Sequence, residues 1–247
     1  MSPLRKKFEA ETKEYFAKYG YKRKRTSYGG YFYQKMVSEN ESIVVYFSAT
    51  SCNVPHHLFT IPLVGVRYEN VEVLMKQLKP AANCEGTPVF SPLGVLLPQK
   101  KTLEYKYNEE TDPISFWEEV LQTIKTYGEP YAERLCDMDT LIDYIENLGV
   151  GSAYQFIMPR LPILHYLRGY DISRGMNYIK RVYKKDQRLG EGVFPDNYIE
   201  NYKKLYETPP AGLEPVERKA VQGTSTSTAD ESKGKISGLI DKVKSLF

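Results

Sequence analysis

The chain has 247 residues, 41% of them hydrophobic, and a formal net charge of +3, so it is long enough to bury a substantial core. No apolar run approaches the roughly 18 to 20 residues that a membrane-spanning helix needs. The three cysteines, Cys52, Cys84 and Cys136, show no paired spacing, and no signal peptide opens the sequence. This combination favours reduced thiols in the cytoplasm over a secreted, disulfide-linked fold.

An amphipathic helix and a β-hairpin are predicted at the start of the chain. Residues 4–19 place apolar side chains at helical spacing, with Ser2 as N-cap and Gly20 as C-terminal stop. Residues 30–37 and 42–49 are rich in aromatic and β-branched types and are separated by a polar turn. We expect the hairpin to lie against the first helix, with a solvated loop joining the two.

The next stretch mixes strands, one helix and a long irregular segment. Four prolines and two glycines over residues 80–101 indicate a loop with at most a short strand near 93–97. Regular structure is predicted on both sides of this loop, as strands over 58–66 and 102–107 and a helix over 70–79.

Helical spacing dominates after Asp112. Asp112 is a good N-cap and Gly128 a good C-terminal stop, so one helix is predicted between them. The next helix is predicted to open at Asp137 or Asp139 and to end before Gly149. Further helices are predicted over residues 163–168, 171–185 and 196–206. The expected fold class is α+β, in which a small antiparallel sheet is packed by an N-terminal helix and followed by a helical C-terminal half.

Four segments follow from these patterns. Residues 1–110 form the sheet region and 111–207 the helical region of the same globular unit, whereas 208–234 collect Pro, Gly, Ser and Thr and indicate a flexible linker. Residues 235–247 predict a short amphipathic docking helix, which should fold only against a surface because isolated helices of this length are marginal.

The apolar face of this terminal helix is the first candidate binding site. A groove on a partner protein, the chain's own domain and a membrane interface all remain open as its docking surface. Its candidate partner-binding residues are Ile236, Leu239, Ile240, Val243, Leu246 and Phe247.

Charge is segregated along the chain and suggests a second site. Residues 1–49 carry an excess of five positive charges and residues 111–150 an excess of seven negative charges, which suits binding between oppositely charged surfaces. The basic run with its tyrosines could also hold phosphates while rings stack on bases, although no recognised nucleic-acid motif accompanies it. The residues of this alternative nucleic-acid site are Lys22, Arg23, Lys24, Arg25, Tyr28 and Tyr31.

No residue pattern predicts catalysis, a cofactor or a metal ion. Cys52, Cys84 and the adjacent His56 and His57 lack the paired spacing of zinc ligands. Glu104 and Lys106 are spaced as in metal-dependent nucleases, but no Asp precedes Asp112 to supply the upstream acid, so a solvated strand face is the simpler interpretation. We therefore assign no catalytic, cofactor-binding or metal-ligating residue and lean towards a protein that is not an enzyme.

Several short stretches carry a family resemblance. They are residues 19–24 (YGYKRK), 31–35 (YFYQK), 127–131 (YGEPY), 141–148 and 167–171 (LRGYD). Through them, residues 4 to about 185 resemble an uncharacterised bacterial family, domain of unknown function 4304. The resemblance implies a small α+β domain with appended helices, of a kind associated with bacterial toxin-neutralising and defence neighbourhoods.

We expect a non-enzymatic cytoplasmic protein that binds another protein, such as a bacterial immunity or defence accessory protein, with the terminal helix as docking element. Nucleic-acid binding through the basic run and peripheral membrane association through the terminal helix are the alternatives. The sequence leaves the oligomeric state open.

Overall fold

The structure is a computed structural model that describes residues 2–26, 30–50, 56–80, 89–99, 101–148 and 156–216, without the side chains of 48–50. The chain forms two compact units that alternate along the sequence. The described residues of 1–67 and 88–136 form the first, and the described residues of 68–87 and 137–247 form the second.

Helices and strands follow one another in an order that confirms the α+β class. In chain order they are α1 (Pro3–Lys18), β1 (Lys22–Arg25), β2 (Tyr31–Met36), β3 (Glu41–Thr50), β4 (His57–Tyr68), α2 (Glu69–Leu78), β5 (Val89–Pro92), α3 (Leu93–Leu96), β6 (Tyr105–Asn108), α4 (Pro113–Thr123), a π-helical turn (Ile124–Gly128), α5 (Glu129–Leu135), α6 (Met138–Leu148), α7 (Arg160–Leu167), α8 (Ile172–Lys185), α9 (Gln187–Val193) and α10 (Asp196–Glu207).

The sheet belongs to the first unit. Its strands run in the order β1-β2-β3-β4-β5, and β6 also pairs with β4. The predicted hairpin of β2 and β3 is confirmed, with Tyr33 opposite Val45 in an antiparallel register. β4 pairs with β6 along its first half and with β5 along its second half.

Aromatic side chains fill the core of the first unit. From α1, Phe8 and Phe16 pack against Phe47 of β3 and Trp117 of α4, with ring centroids 5.2 to 6.1 Å apart. Three of these four pairs are edge-to-face, and such pairs add about 0.5 to 1.5 kcal/mol each beyond the area that they bury. The prediction that the first helix lies against the hairpin is confirmed, because the ring of Phe16 also packs on that of Tyr33 in β2, with the two ring centroids 4.8 Å apart.

The second unit is built from α2 and α6 to α10. A buried ion pair joins α2 to α7, with Arg160 bonded to both carboxylate oxygens of Glu72. At the C-terminal end of α2, two asparagine side chains of α10 donate to the carbonyls of Gln77 and Lys79. These bonds satisfy acceptors that the end of a helix leaves without an intrahelical partner.

Four local predictions are wrong. Residues 22–25 form strand β1, not a loop, and the irregular stretch after residue 80 contains β5. The sequence predicts a loop with at most a short strand near 93–97, but Leu93 to Leu96 form helix α3. The helix beginning after Asp112 does not stop at Gly128, because the π-helical turn continues it into α5. Pro130, near the start of α5, has no backbone N–H to donate within a regular helix, and a π-helical turn accommodates such an interruption.

Part of the predicted linker is described. After α10, the N–H of Val216 donates to the carbonyl of Leu167 at the end of α7, so the segment up to residue 216 is attached to the second unit. The terminal helix predicted over residues 235–247, with its six apolar candidate residues, lies outside the described residues. Across the described ranges, no helix combines the length and apolarity required to cross a membrane.

Candidate functional site

Strand β1 carries the basic run that the sequence marked as a candidate site. Gly20 ends α1 with a φ of 84°, a value that favours glycine. Tyr21 follows, buried against Phe16 at 5.2 Å, and its hydroxyl donates to Glu129 at 2.8 Å. At the far end of β1, the N–H of Thr26 donates to the carbonyl of Gly30 at 2.8 Å. The strand therefore forms because both of its ends are anchored, although its own four side chains are all charged.

Strand β1 is the outer strand of the sheet, and in the described part of the chain it pairs only with β2. Lys24 lies opposite Phe32, in the same register as the bonded pair of Thr26 and Gly30. Opposed residues of an antiparallel pair alternate between bonded and non-bonded. The backbone N–H and C=O of Lys22 and Lys24 therefore point towards β2, whereas those of Arg23 and Arg25 point outwards.

The four basic side chains of β1 cover both faces of the sheet edge. Lys22, Lys24 and Arg25 are exposed, and Arg23 is half-buried with its guanidinium 4.2 Å from the centre of the Tyr31 ring. Successive side chains of a strand point to opposite faces, so the two lysines share one face and the two arginines the other. Within the described ranges, none of the four makes a hydrogen bond or an ion pair.

A neighbouring acid, Glu129 of α5, is already paired. Both of its oxygens accept from Lys35 of β2, at 3.1 and 3.2 Å, and one also accepts from Tyr21. Burial and the nearby Glu129 carboxylate raise the pKa of the Tyr21 hydroxyl well above its usual range, so it remains a donor. Glu129 thus balances Lys35 and leaves the charge of β1 uncompensated, which gives this edge a positive potential.

The aromatic residues of the predicted nucleic-acid site are only partly brought together. Tyr28 lies outside the described residues. Tyr31 is half-buried, and Arg23 occupies one face of its ring. The next two rings along β2, Phe32 and Tyr33, are each 4% exposed. This edge of the sheet therefore offers the basic side chains of β1, whereas the described part of β2 offers little open aromatic surface on which bases could stack.

The residues tested for metal or nucleophilic chemistry are not assembled into a site. His56 is exposed, 3.8 Å from a carboxylate oxygen of Glu109, and the His57 ring stacks on Phe59. Cys52 and Cys84 lie outside the described residues. Where the structure describes the chain, no group of three or more His, Cys, Asp or Glu side chains is placed to hold a metal ion.

Much of the acidic segment, residues 111–150, has structural partners. Asp139 binds Arg168 through two bonds, and Glu146 binds both Arg174 and the buried His165. On α4, Glu118 and Glu119 instead line an open groove of about 530 Å³, whose other lining residues include Tyr19 and Lys125. The sequence could not separate the paired acids from those that line the groove, because the partners of Asp139 and Glu146 are distant along the chain.

The sequence also missed the outward backbone groups of Arg23 and Arg25. Their direction depends on the register of β1 on β2, whereas the sequence predicts a solvated loop for residues 22–25. The aromatic residues at the start of β2 predicted that strand, but they gave no signal for β1 beside it.

Comparison with known proteins adds no relative. No protein family model matches the chain, and neither a curated protein nor a solved structure matches it.

Proposed function

We propose that this protein is a non-enzymatic interaction protein that binds an acidic segment of a partner protein along β1. The observation that carries this proposal is the placement of Lys22, Arg23, Lys24 and Arg25 on an outer strand, where their side chains make no hydrogen bond or ion pair to the other described residues. A surface with this much uncompensated charge attracts an oppositely charged segment and repels a basic one.

The strength of the charge contribution can be bounded. Exposed ion pairs contribute about 0.2 to 1 kcal/mol each, so the four cations together contribute about 1 to 4 kcal/mol. This corresponds to about a 4- to 800-fold difference in affinity between an acidic segment and a neutral one. Because Lys22, Lys24 and Arg25 are exposed and Arg23 is only half-buried, salt weakens this contribution; the Debye length is about 10 Å at 0.1 M.

Nucleic acid is the competing ligand of the same strand. Four cations could hold phosphates, but single-stranded nucleic acids also need accessible rings for stacking. Of the described rings of β2, Phe32 and Tyr33 are buried, and Arg23 occupies one face of the half-buried Tyr31. The outward N–H and C=O groups of Arg23 and Arg25 form an alternating set of donors and acceptors, which suits another peptide backbone. These two observations favour a protein partner.

The wider assignment rests on the sequence. The family resemblance supports a bacterial immunity or defence accessory protein, and the cysteine pattern supports the cytoplasm. The terminal helix, residues 235–247, remains a predicted second docking element for the same partner, with a membrane surface as its alternative.

A binding titration tests the proposal. The probe is a short fluorescent peptide that contains four consecutive glutamates, one for each residue of β1, flanked by threonines. We expect the full chain to bind it, and affinity to fall at least about fourfold when all four cations of β1 become glutamine. The matched control neutralises four other exposed cations and should bind like the wild type; these are Lys180, Lys184, Arg188 and Lys203.

Three results would contradict this function. The first is equal weakening by the two quadruple variants, which would reduce binding to an effect of net charge. The second is undiminished binding by the β1 variant. The third is a combined outcome, in which single-stranded RNA binds tightly, the β1 variant loses that binding, and the acidic peptide does not bind. This outcome would assign β1 to nucleic-acid binding.

A further inference from the structure

We infer that the partner segment binds as an additional β-strand, hydrogen-bonded to the outward backbone groups of Arg23 and Arg25. This inference rests on the proposed function and specifies how the acidic segment is held. Electrostatic attraction alone would allow an acidic segment to bind in any conformation, whereas strand addition requires an extended backbone in one register.

The register of the sheet supplies the geometry. Because Lys22 and Lys24 direct their backbone groups towards β2, Arg23 and Arg25 present two N–H donors and two C=O acceptors on the free side. Residues two apart on a strand are separated by about 6.6 to 6.8 Å, which is the repeat of an adjacent extended chain. The free side of β1 therefore has the spacing that a fully extended segment can match with up to four hydrogen bonds.

The charges decide which extended segment fits. A second copy of β1 is disfavoured, because pairing two such edges would place arginines and lysines beside each other. An acidic strand places carboxylates there instead. Since the lysines occupy one face and the arginines the other, a strand with consecutive acidic residues can satisfy both faces, whereas a strand with acids at alternate positions satisfies only one.

Basic residues on an outer strand can also serve only to prevent aggregation. This reading and strand addition differ in a measurable way. Edge protection requires charge but no ligand, so the backbone groups of Arg23 and Arg25 would stay bonded to water in the presence of an acidic peptide. Strand addition requires that these groups, and not those of Lys22 and Lys24, change partner.

Amide hydrogen exchange, measured by NMR on the full chain, follows that change directly. In the free protein, the amides of Lys22 and Lys24 should exchange more slowly than those of Arg23 and Arg25. Saturation with the four-glutamate peptide should slow amide exchange at Arg23 and Arg25 at least tenfold. The ratio of the exchange rates of Lys22 and Lys24 to each other should stay unchanged.

A proline substitution separates the backbone contact from the charge. Proline is tolerated on an edge strand where the N–H faces outwards, so Arg25→Pro removes one outward donor together with the charge, while Arg25→Gln removes only the charge. We expect Arg25→Pro to bind the peptide about 2- to 12-fold more weakly than Arg25→Gln, the effect of one backbone hydrogen bond. A peptide N-methylated at alternate glutamates should lose affinity for the unmodified protein to a similar degree.

The outcomes separate this inference from the proposed function. If the peptide binds through the β1 cations, but Arg23 and Arg25 stay unprotected and N-methylation has no effect, strand addition is overturned while the charge-based function stands. A peptide with alternating glutamates that binds as tightly as the consecutive one would also overturn the two-face match. Loss of the charge dependence itself overturns both.

Discussion

The buried pair of Glu72 and Arg160 gives a quantitative test of how the second unit is held together. The Arg160 guanidinium donates to the two Glu72 oxygens at 2.8 and 3.1 Å and to the carbonyl of Phe156 at 2.5 Å. Both side chains are at most 4% exposed, so solvent screens this pair little. The perturbation is Arg160→Met, which retains much of the side-chain volume and removes every donor.

The cost follows from what the substitution leaves behind. Without Arg160, Glu72 remains a buried carboxylate whose main charge partner is gone, and breaking a buried pair in this way costs about 3 to 5 kcal/mol. Replacing both residues, Glu72→Met with Arg160→Met, removes the unpaired charge as well. The double variant should therefore recover much of the loss, because hydrophobic replacement of a whole buried pair is often close to neutral.

Urea unfolding monitored by far-ultraviolet circular dichroism measures the free energies of unfolding for the wild type, both single variants and the double variant. We expect each single variant to lose about 3 to 5 kcal/mol and the double variant to lose clearly less than the sum of the two. Additive losses would show that the two side chains stabilise the protein independently, and a loss below about 1 kcal/mol for Arg160→Met would refute their burial as a pair.

Two further stability predictions concern the same unit. An added Cβ at Gly175 would lie 2.1 Å from the Tyr202 hydroxyl, whereas one at Gly192 meets nothing within 4 Å. Thermal unfolding should therefore show Gly175→Ala destabilised by about 1 to 3 kcal/mol and Gly192→Ala unchanged or slightly stabilised. Equal effects of the two substitutions would contradict the packing around Gly175. The hydrogen bond from His165, aided by an arginine, lowers the pKa of Glu146 to about 2, and burial lowers the pKa of His165. Both groups bind protons more readily in the unfolded chain, so the free energy of unfolding should decline as pH falls below 6.5, because of His165, and again from pH 4.5 towards 2, because of Glu146. The loss due to Glu146 should be at most about 3 kcal/mol. Urea unfolding across this pH range measures the decline, and a free energy of unfolding that does not change with pH would contradict it.

The fold class was predictable from the sequence because its strongest signals are local. Ser2 and Asp112 cap their helices as expected, and the alternating aromatic residues before the polar turn gave the hairpin its correct strands. Such signals depend on side chains that are neighbours along the chain. They identify elements well and say little about how distant elements are paired.

The candidate site needed the structure for that reason. Four consecutive charged residues have no strand periodicity, and β1 exists because Tyr21 is held by Phe16 and Glu129, the latter more than a hundred residues away in sequence. Whether a backbone N–H points inwards or outwards depends on register, which a shift of one residue would reverse. The same limit applies to the continuation of α4 through Gly128, whose close approach to Val64 and Leu93 is a tertiary contact.

The most direct test of the central claim is a map of where an acidic peptide binds. Titrating the four-glutamate peptide into the isotopically labelled full chain should shift the NMR amide signals of Lys22 to Arg25 and of the facing residues of β2 more than any others, and added salt should reverse these shifts. Signals that shift elsewhere while β1 is unaffected, or no shifts at low salt, would contradict the assignment of β1 as the binding strand.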